Sequence, residues 1–180
     1  MRIHVNPTAV AETFAKFSDN PSLQESAQLF ARGLPVLEMI QAFAMNEKVL
    51  RAFAGFESIY PGGNLERGIL EKVILRVSQL HECQFCTNSH VAIMSGLGMS
   101  SDLSPEALSE RERLALAYAE KMTQDSNQIP ENLFNDLRQL FSEPEVVELT
   151  FLIGFITMLN RFNNALQIRY SGELESVKIH

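Results

Sequence analysis

Cysteine is almost absent from this chain. Only Cys83 and Cys86 occur among its 180 residues, and tryptophan does not occur at all. Two cysteines three positions apart cannot cross-link distant segments, so the sequence excludes a small scaffold held together by several disulfides. A disulfide that closes so short a loop also adds little stability through loop entropy. A close pair of this kind is more typical of reactive or metal-binding thiols than of a structural bridge.

Positive charge is sparse and scattered along the chain. Fifteen Lys and Arg residues stand against 22 Asp and Glu residues, so the net charge is -7 at pH 7. Binding to a phosphate backbone or to an anionic membrane surface needs clustered Lys and Arg. We therefore expect neither nucleic acid nor a membrane among the partners.

Long hydrophobic runs are also missing. The longest, Phe151 to Leu159, is far shorter than the roughly 20 residues that a membrane-spanning helix needs. The first residues, Met1 to Pro7, lack the apolar core of a signal peptide. The expectation is a cytoplasmic protein, in a compartment where thiols are kept reduced.

The alternation of polar and apolar residues that is typical of strands does not stand out, and helical spacing dominates. The sequence therefore predicts an all-α fold in a single domain, residues 1–180. We divide that domain into an N-terminal helical extension (1–60), a helical hairpin (64–98) and closing helices (104–169). Pro61-Gly62-Gly63-Asn64, the strongest break in the chain, separates the first two parts.

Two helices are predicted in the hairpin. Apolar residues recur at helical spacing from Leu65 to Leu80, and a second helix is expected from about Cys83 to Leu97. Gly96 and Gly98 are good candidates for the end of the second helix, because glycine readily takes the left-handed conformation found there.

Two features define the closing helices. Ser104 as N-cap and Pro105 in the first helical position predict a helix that continues to about Lys121. The last helix, from Glu143 to about Ile168, is apolar around most of its circumference. Such a helix lies either at the centre of the core or against a second subunit, and the sequence leaves both open.

The chemistry of the chain centres on Cys83, Cys86 and His90. At about 100° per residue, these three positions fall on one face of a helix, and the two Cα atoms are close enough for a disulfide. A helix N-terminus favours the thiolate over the thiol. His90, one turn after Cys86, is placed to accept the thiol proton.

Glu71 is the candidate for orienting the imidazole. If the chain reverses near Leu80 to Glu82, the two helices form an antiparallel hairpin. Glu71 and His90 then lie at about the same height on facing helices, and their side chains can meet. A nucleophile, a base and an orienting carboxylate are the parts that covalent catalysis uses.

Two other interpretations of the thiols stay open. His81, Cys83, Cys86 and His90 supply four ligands that zinc accepts, although one helix face cannot easily surround a tetrahedral ion. The two cysteines can also be small buried hydrophobic residues without chemical function.

The spacing of these residues resembles a known family. Glu71 is followed after eleven residues by Cys83-x-x-Cys86, and His90 follows after three more. This spacing is similar to that of the alkylhydroperoxidase D (AhpD-like) family, which belongs to the carboxymuconolactone decarboxylase superfamily. The resemblance covers Leu65 to Gly98 well, and the first sixty residues add a general likeness to the longer, peroxidase-related branch. Phe85 departs from the pattern, since some members carry histidine at that position.

The resemblance implies an AhpD-like helical bundle whose central hairpin carries the CxxC motif, assembled into homo-oligomers. It also implies disulfide-reductase and weak peroxidase activity. By this likeness Cys86 attacks the peroxide, Cys83 resolves the sulfenic acid, and His90 and Glu71 relay protons.

The sequence shows no motif for a flavin, a haem or a nicotinamide, so we expect no cofactor. The partners expected are a hydroperoxide or disulfide substrate and an external thiol or protein reductant. Two alternatives remain open: an enzyme of the carboxymuconolactone decarboxylase type, and a non-catalytic zinc- or redox-responsive interaction protein.

Overall fold

The structure is a computed structural model of the chain, and it describes residues 1–57, 60 and 62–176. Within that part the chain forms nine α-helices and two short 3₁₀ turns, without a strand. The predicted all-α class is therefore confirmed. Of the predicted break at Pro61-Gly62-Gly63-Asn64, Pro61 lies outside the described residues.

The chain divides into two compact units. One comprises Met1–Gly63 with Leu166–Glu173, and the other is built on Asn64–Ala165. The boundary between them falls at the predicted break. The expectation of a single domain over residues 1–180 stays a prediction.

The first unit contains four helices, which are α1 (Pro7–Ala15), α2 (Pro21–Ala31), α3 (Glu38–Ala44) and α4 (Glu47–Glu57). Asn6 and Asn20 cap α1 and α2; the side chain of Asn6 accepts two backbone N–H groups and that of Asn20 accepts one. Proline follows each cap, where its missing N–H group costs no helical hydrogen bond. These four helices lie within the segment that the sequence analysis assigns to an N-terminal helical extension, and that division of the chain stays a prediction.

The second unit contains five helices, which are α5 (Arg67–Leu80), α6 (Gln84–Gly96), α7 (Glu110–Asp125), α8 (Glu131–Leu140) and α9 (Glu143–Leu166). Helices α5 and α6 form the predicted hairpin. The chain turns at His81 and Glu82, and Glu82 has a left-handed backbone with φ of 52°. Gly98 is also left-handed, with φ of 68°, directly after α6 ends.

The start of α7 differs from the prediction. Ser104 and Pro105 open only a 3₁₀ turn, Pro105–Ala107. The helix begins after Ser109, whose hydroxyl accepts the N–H group of Glu112 while the Glu112 carboxylate accepts the N–H group of Ser109. This reciprocal capping box satisfies two N–H groups, whereas Ser104 makes no side-chain cap, so the helix starts at Ser109.

Helix α9 is both a core helix and a surface helix. Its buried side carries mostly aliphatic residues together with two amides, Asn160 and Asn163. On the other side, Val147, Phe151 and Met158 are exposed. Within the described ranges, no helix combines the length and the apolar character that crossing a membrane requires.

Candidate functional site

The two cysteines lie at the turn between α5 and α6. Cys83 is the N-cap residue of α6, and its Sγ accepts the backbone N–H group of Cys86 at 3.3 Å. Cys83 and Cys86 are joined as a disulfide, with Cα atoms 5.3 Å apart. Both sulfurs therefore lie at the positive end of a helix, where unpaired N–H groups favour a thiolate once the bond is reduced.

Burial separates the two sulfurs. Cys83 is completely buried, whereas 6% of Cys86 remains exposed. Phe85, between them, is also buried. Its ring therefore belongs to the core around the disulfide and does not form an exposed apolar edge beside it.

The structure brings Glu71 and His90 together. Helix α5 carries Glu71 and helix α6 carries His90, and Nδ1 of the imidazole lies 2.7 Å from Oε2 of the carboxylate. The carboxylate is completely buried, while the imidazole keeps 16% of its surface exposed. A carboxylate on Nδ1 fixes the ring orientation and leaves Nε2 as the nitrogen that exchanges a proton.

Arg67 is a member of the site that the sequence analysis does not single out. Its Nε donates to Oε1 of Glu71 at 2.7 Å, one helical turn away. A buried carboxylate needs a counter-charge and hydrogen-bond donors, and Arg67 supplies both. The (i, i+4) spacing of Arg67 and Glu71 is the sequence signal that could have identified it.

The imidazole makes no hydrogen bond to either sulfur among the described residues. The side-chain hydrogen bond of His90 in this part of the chain is the one to Glu71. Proton transfer between Cys86 and His90 therefore needs a bridging water or a shift of the ring when the disulfide opens. The structure places the four predicted site residues in one hairpin, and their roles stay predictions.

Two asparagines of α9 complete the buried surroundings of the disulfide. Nδ2 of Asn163 donates to Sγ of Cys86 at 3.3 Å, and Oδ1 of Asn160 accepts the hydroxyl of Ser78 at 3.2 Å. The carbonyl of Ser78 in turn accepts the N–H group of Cys83 at 2.9 Å. The sequence signal for these amides is a pair of asparagines three residues apart on a helix that is apolar around most of its circumference.

His81 stands apart from this arrangement. It caps the end of α5, and its Nε2 lies 3.4 Å from the hydroxyl of Thr157. Burial of the ring, together with the nearby positive charge of Arg161, lowers the pKa of His81 below its ordinary value of 6.5. The lowered pKa favours the neutral ring, and its side-chain contact is with Thr157 and not with Glu71 or His90.

The zinc alternative finds no support in the geometry. Among the residues that the structure describes, no three His, Cys, Asp or Glu side chains are grouped so that they could hold a metal ion. The two sulfurs are bonded to each other, and His81 contacts Thr157. The arrangement instead suits thiol chemistry, with a dithiol beside an oriented imidazole.

Comparison with known sequences gives distant relatives. The chain is 32% identical over 108 residues to the uncharacterized protein YnjA of Escherichia coli (strain K12), a match that covers 56% of this chain and 59% of YnjA. It is 26% identical over 112 residues to the uncharacterized protein YdfG of Bacillus subtilis (strain 168), over 57% of this chain and 76% of YdfG. No family model matches the sequence.

Solved structures match more of the chain. An uncharacterized peroxidase-related protein from Silicibacter sp. TM1040 superimposes with a TM-score of 0.73 at 22% identity, over 99% of this chain and 95% of that one. A protein from Agrobacterium tumefaciens, described as a putative antioxidant defence protein AhpD, has a TM-score of 0.64 at 26% identity, over 69% and 91%. The debrominase Bmp8, as a cysteine-to-alanine variant in complex with 2,3,4-tribromopyrrole, shares the fold at a TM-score of 0.71 and 20% identity, over 88% and 90%.

Proposed function

We propose that this chain, which shares its fold with AhpD-like and peroxidase-related proteins, is a thiol-dependent antioxidant oxidoreductase that reduces hydroperoxides or disulfides. One observation carries the proposal. The Cys83–Cys86 pair and the Glu71–His90 pair occupy the same helical hairpin, which supports a dithiol that works with an oriented imidazole.

The proposed cycle begins with the reduced protein. The thiolate of Cys86 attacks the terminal oxygen of a hydroperoxide, the O–O bond breaks, and the alcohol leaves after taking a proton. Cys86 is then a sulfenic acid. The thiol of Cys83 attacks that sulfur, the S–O bond breaks, and water leaves as the disulfide forms.

The disulfide must then be reduced. Two thiols of an external reductant, either a small thiol or a protein dithiol, supply two electrons and leave as a disulfide. A disulfide substrate would accept the same two electrons from the dithiol without the sulfenic acid step. The cycle fits a reducing compartment such as the cytoplasm, where such thiols are abundant.

Cys86 is assigned as the attacking thiol and Cys83 as the resolving thiol. Cys86 is the one of the two with exposed surface, and it lies one helical turn before His90. Cys83 is completely buried, so a substrate reaches it only through Cys86. His90 accepts the thiol proton, and Glu71 holds the ring in the orientation that leaves Nε2 free to do so.

The test is consumption of an organic hydroperoxide in the presence of a dithiol reductant. We expect turnover by the unchanged protein, and we expect Cys86→Ser to abolish it without loss of helical structure. Cys83→Ser should allow one reaction per molecule and should leave a sulfenic acid on Cys86 that a dimedone probe traps. Ser89→Ala, a buried serine of the same helix, is the control.

Two outcomes would contradict the assignment. If the Cys86→Ser variant keeps full activity, Cys86 is not the attacking thiol. If the unchanged protein consumes neither a hydroperoxide nor a small disulfide, the proposed activity is wrong. Lactone decarboxylation does not require the dithiol, and the contacts described for the site do not favour it.

A further inference from the structure

The amide of Asn163 is directed at one sulfur of the disulfide. Its Nδ2 lies 3.3 Å from Sγ of Cys86, and the side chain is almost completely buried. The contact joins α9 to α6 across 77 positions of sequence. The other sulfur, of Cys83, receives the backbone N–H group of Cys86 instead.

The strength of this contact depends on the redox state. The sulfur of a disulfide is neutral and is a weak acceptor, so an N–H group gains little from it. A thiolate at the same place carries a full negative charge, and a hydrogen bond to a charged acceptor is roughly twice as strong as a neutral one. The largely buried surroundings increase that difference, because a hydrogen bond is electrostatically stronger at low dielectric.

A second buried amide lies close to Asn163 along α9. Asn160 lies one helical turn before Asn163, is completely buried, and accepts the hydroxyl of Ser78. Its own Nδ2 is buried and has no hydrogen-bonding partner within the described residues. The end of α9 thus carries two buried amides, and Asn163 is the one that donates to a sulfur of the disulfide.

We propose that Asn163 is a catalytic residue whose amide N–H group stabilises the thiolate form of Cys86 in the reduced protein. The inference rests on the proposed function for its place in the cycle. When a second reductant thiolate attacks the mixed disulfide on Cys86, the S–S bond breaks and its electron pair goes to Sγ of Cys86. Asn163 then donates its N–H group to that sulfur, which is the nucleophile of the next turnover.

Other charged groups surround the site and must be separated from this effect. His90 lies on α6 with Cys86, Arg67 and Glu71 lie on α5, and Arg161 lies on α9 with Asn163. The side-chain hydrogen bond to Sγ of Cys86 comes from Asn163, whereas Arg67 and His90 are directed at Glu71. A change at Asn163 should therefore alter the Cys86 thiol directly and leave the other groups in place.

The experiment measures the pKa of Cys86 from the pH dependence of its alkylation by iodoacetamide, in a Cys83→Ser background where it is the sole thiol. Asn163→Leu removes the donor at similar volume, and we expect it to raise the pKa of Cys86 by about one unit, a tenfold loss of thiolate below the pKa. Asn163→Asp is nearly isosteric and adds a negative charge, so it should raise the pKa further.

Two controls isolate the effect. Asn164→Leu changes the adjacent amide of α9, which is exposed and bonds the backbone carbonyl of His81, and should leave the pKa of Cys86 unchanged. In a Cys86→Ser background, Asn163→Leu should leave the pKa of Cys83 unchanged. Circular dichroism confirms that each variant is folded, and Asn163→Asp carries the test if Asn163→Leu does not fold.

The proposal is overturned if Cys86 keeps its pKa in both Asn163 variants, or if the pKa of Cys83 moves by the same amount. Neither measurement uses a peroxide. Absence of peroxide turnover in the unchanged protein would therefore refute the proposed activity but not the effect of Asn163 on the pKa of Cys86. Likewise, an unchanged pKa of Cys86 would refute the role of Asn163 but not the proposed activity.

Discussion

Glu71 and His90 are 19 positions apart in sequence and lie on different helices, yet their side chains are 2.7 Å apart. The short turn at His81 and Glu82 sets the register of α5 against α6 and places the two residues at the same height. The carboxylate also binds Arg67, so each of its oxygens has a donor. The base of the proposed reaction is thus oriented before a substrate arrives.

Replacing Glu71 with glutamine should slow peroxide reduction strongly. An amide can donate to Nδ1 and so stabilise the wrong tautomer of His90, which leaves Nε2 protonated and unable to accept the thiol proton. We expect kcat/KM to fall by roughly 100-fold, at the lower end of what general acid–base catalysis contributes. Steady-state kinetics with an organic hydroperoxide provides the measurement.

Glu120→Gln is a matched control for this change. Glu120 also accepts Nε of an arginine, Arg76, at 2.6 Å, but it lies on α7 and is partly exposed. Its loss should leave kcat/KM unchanged. Equal losses in the two variants would mean that Glu71 acts through stability alone.

The stability of the protein should depend on pH through His81. Burial and Arg161 lower the pKa of His81 in the folded protein, while the unfolded chain titrates near the ordinary value of 6.5. Below that pH the unfolded chain binds the proton more readily, so the contribution of His81 to stability is present above pH 6.5 and is lost as the pH falls through the lowered pKa.

The check compares the melting temperature of the protein and of His81→Gln at about pH 8 and at about pH 5. Between the higher and the lower pH, the melting temperature of the variant should fall by less than that of the unchanged protein. His4→Gln, at an exposed histidine near the N-terminus, should behave like the unchanged protein. An identical loss in His81→Gln would show that other groups account for the pH dependence.

Ser78→Ala should destabilise the fold more than Ser89→Ala. Both serines are buried, but Ser78 donates to Asn160 across the core, and its loss leaves a buried amide oxygen without that donor. We expect about 1–3 kcal/mol in the free energy of unfolding. Ser89 donates to the carbonyl of Cys86 within its own helix, and its replacement should cost less. Urea denaturation measures the free energy of unfolding of the two variants. Equal losses of that free energy in both variants would contradict the importance of the Ser78–Asn160 hydrogen bond.

The exposed side of α9 should mediate the predicted homo-oligomer. Val147, Phe151 and Met158 lie on one side of the helix, and half of the surface of Phe151 is exposed. Phe151→Glu should lower the mass in sedimentation velocity, because a charge would be buried without a partner between subunits. Val49→Glu, at an exposed valine of α4, is the control. A monomeric unchanged protein would refute the expectation.

The hairpin that carries the site can be predicted because its signals are local. Helical spacing of apolar residues identifies α5, and Gly98 marks the end of α6. The predicted start of α7 at Ser104 is wrong, although Ser-Pro is a common beginning of a helix. The capping box at Ser109 and Glu112 is also present in the sequence, and its two reciprocal hydrogen bonds make it the stronger start.

The sequence by itself determined the helical class, the paired thiols and the carboxylate–imidazole pair, because each depends on spacings within a short segment. The tertiary structure decided which sulfur receives the amide of Asn163 and which serine holds Asn160. Those contacts join positions 77 and 82 apart, and they form only because α9 packs its polar end against the hairpin. No local propensity encodes such a contact, since it results from the packing of the whole unit.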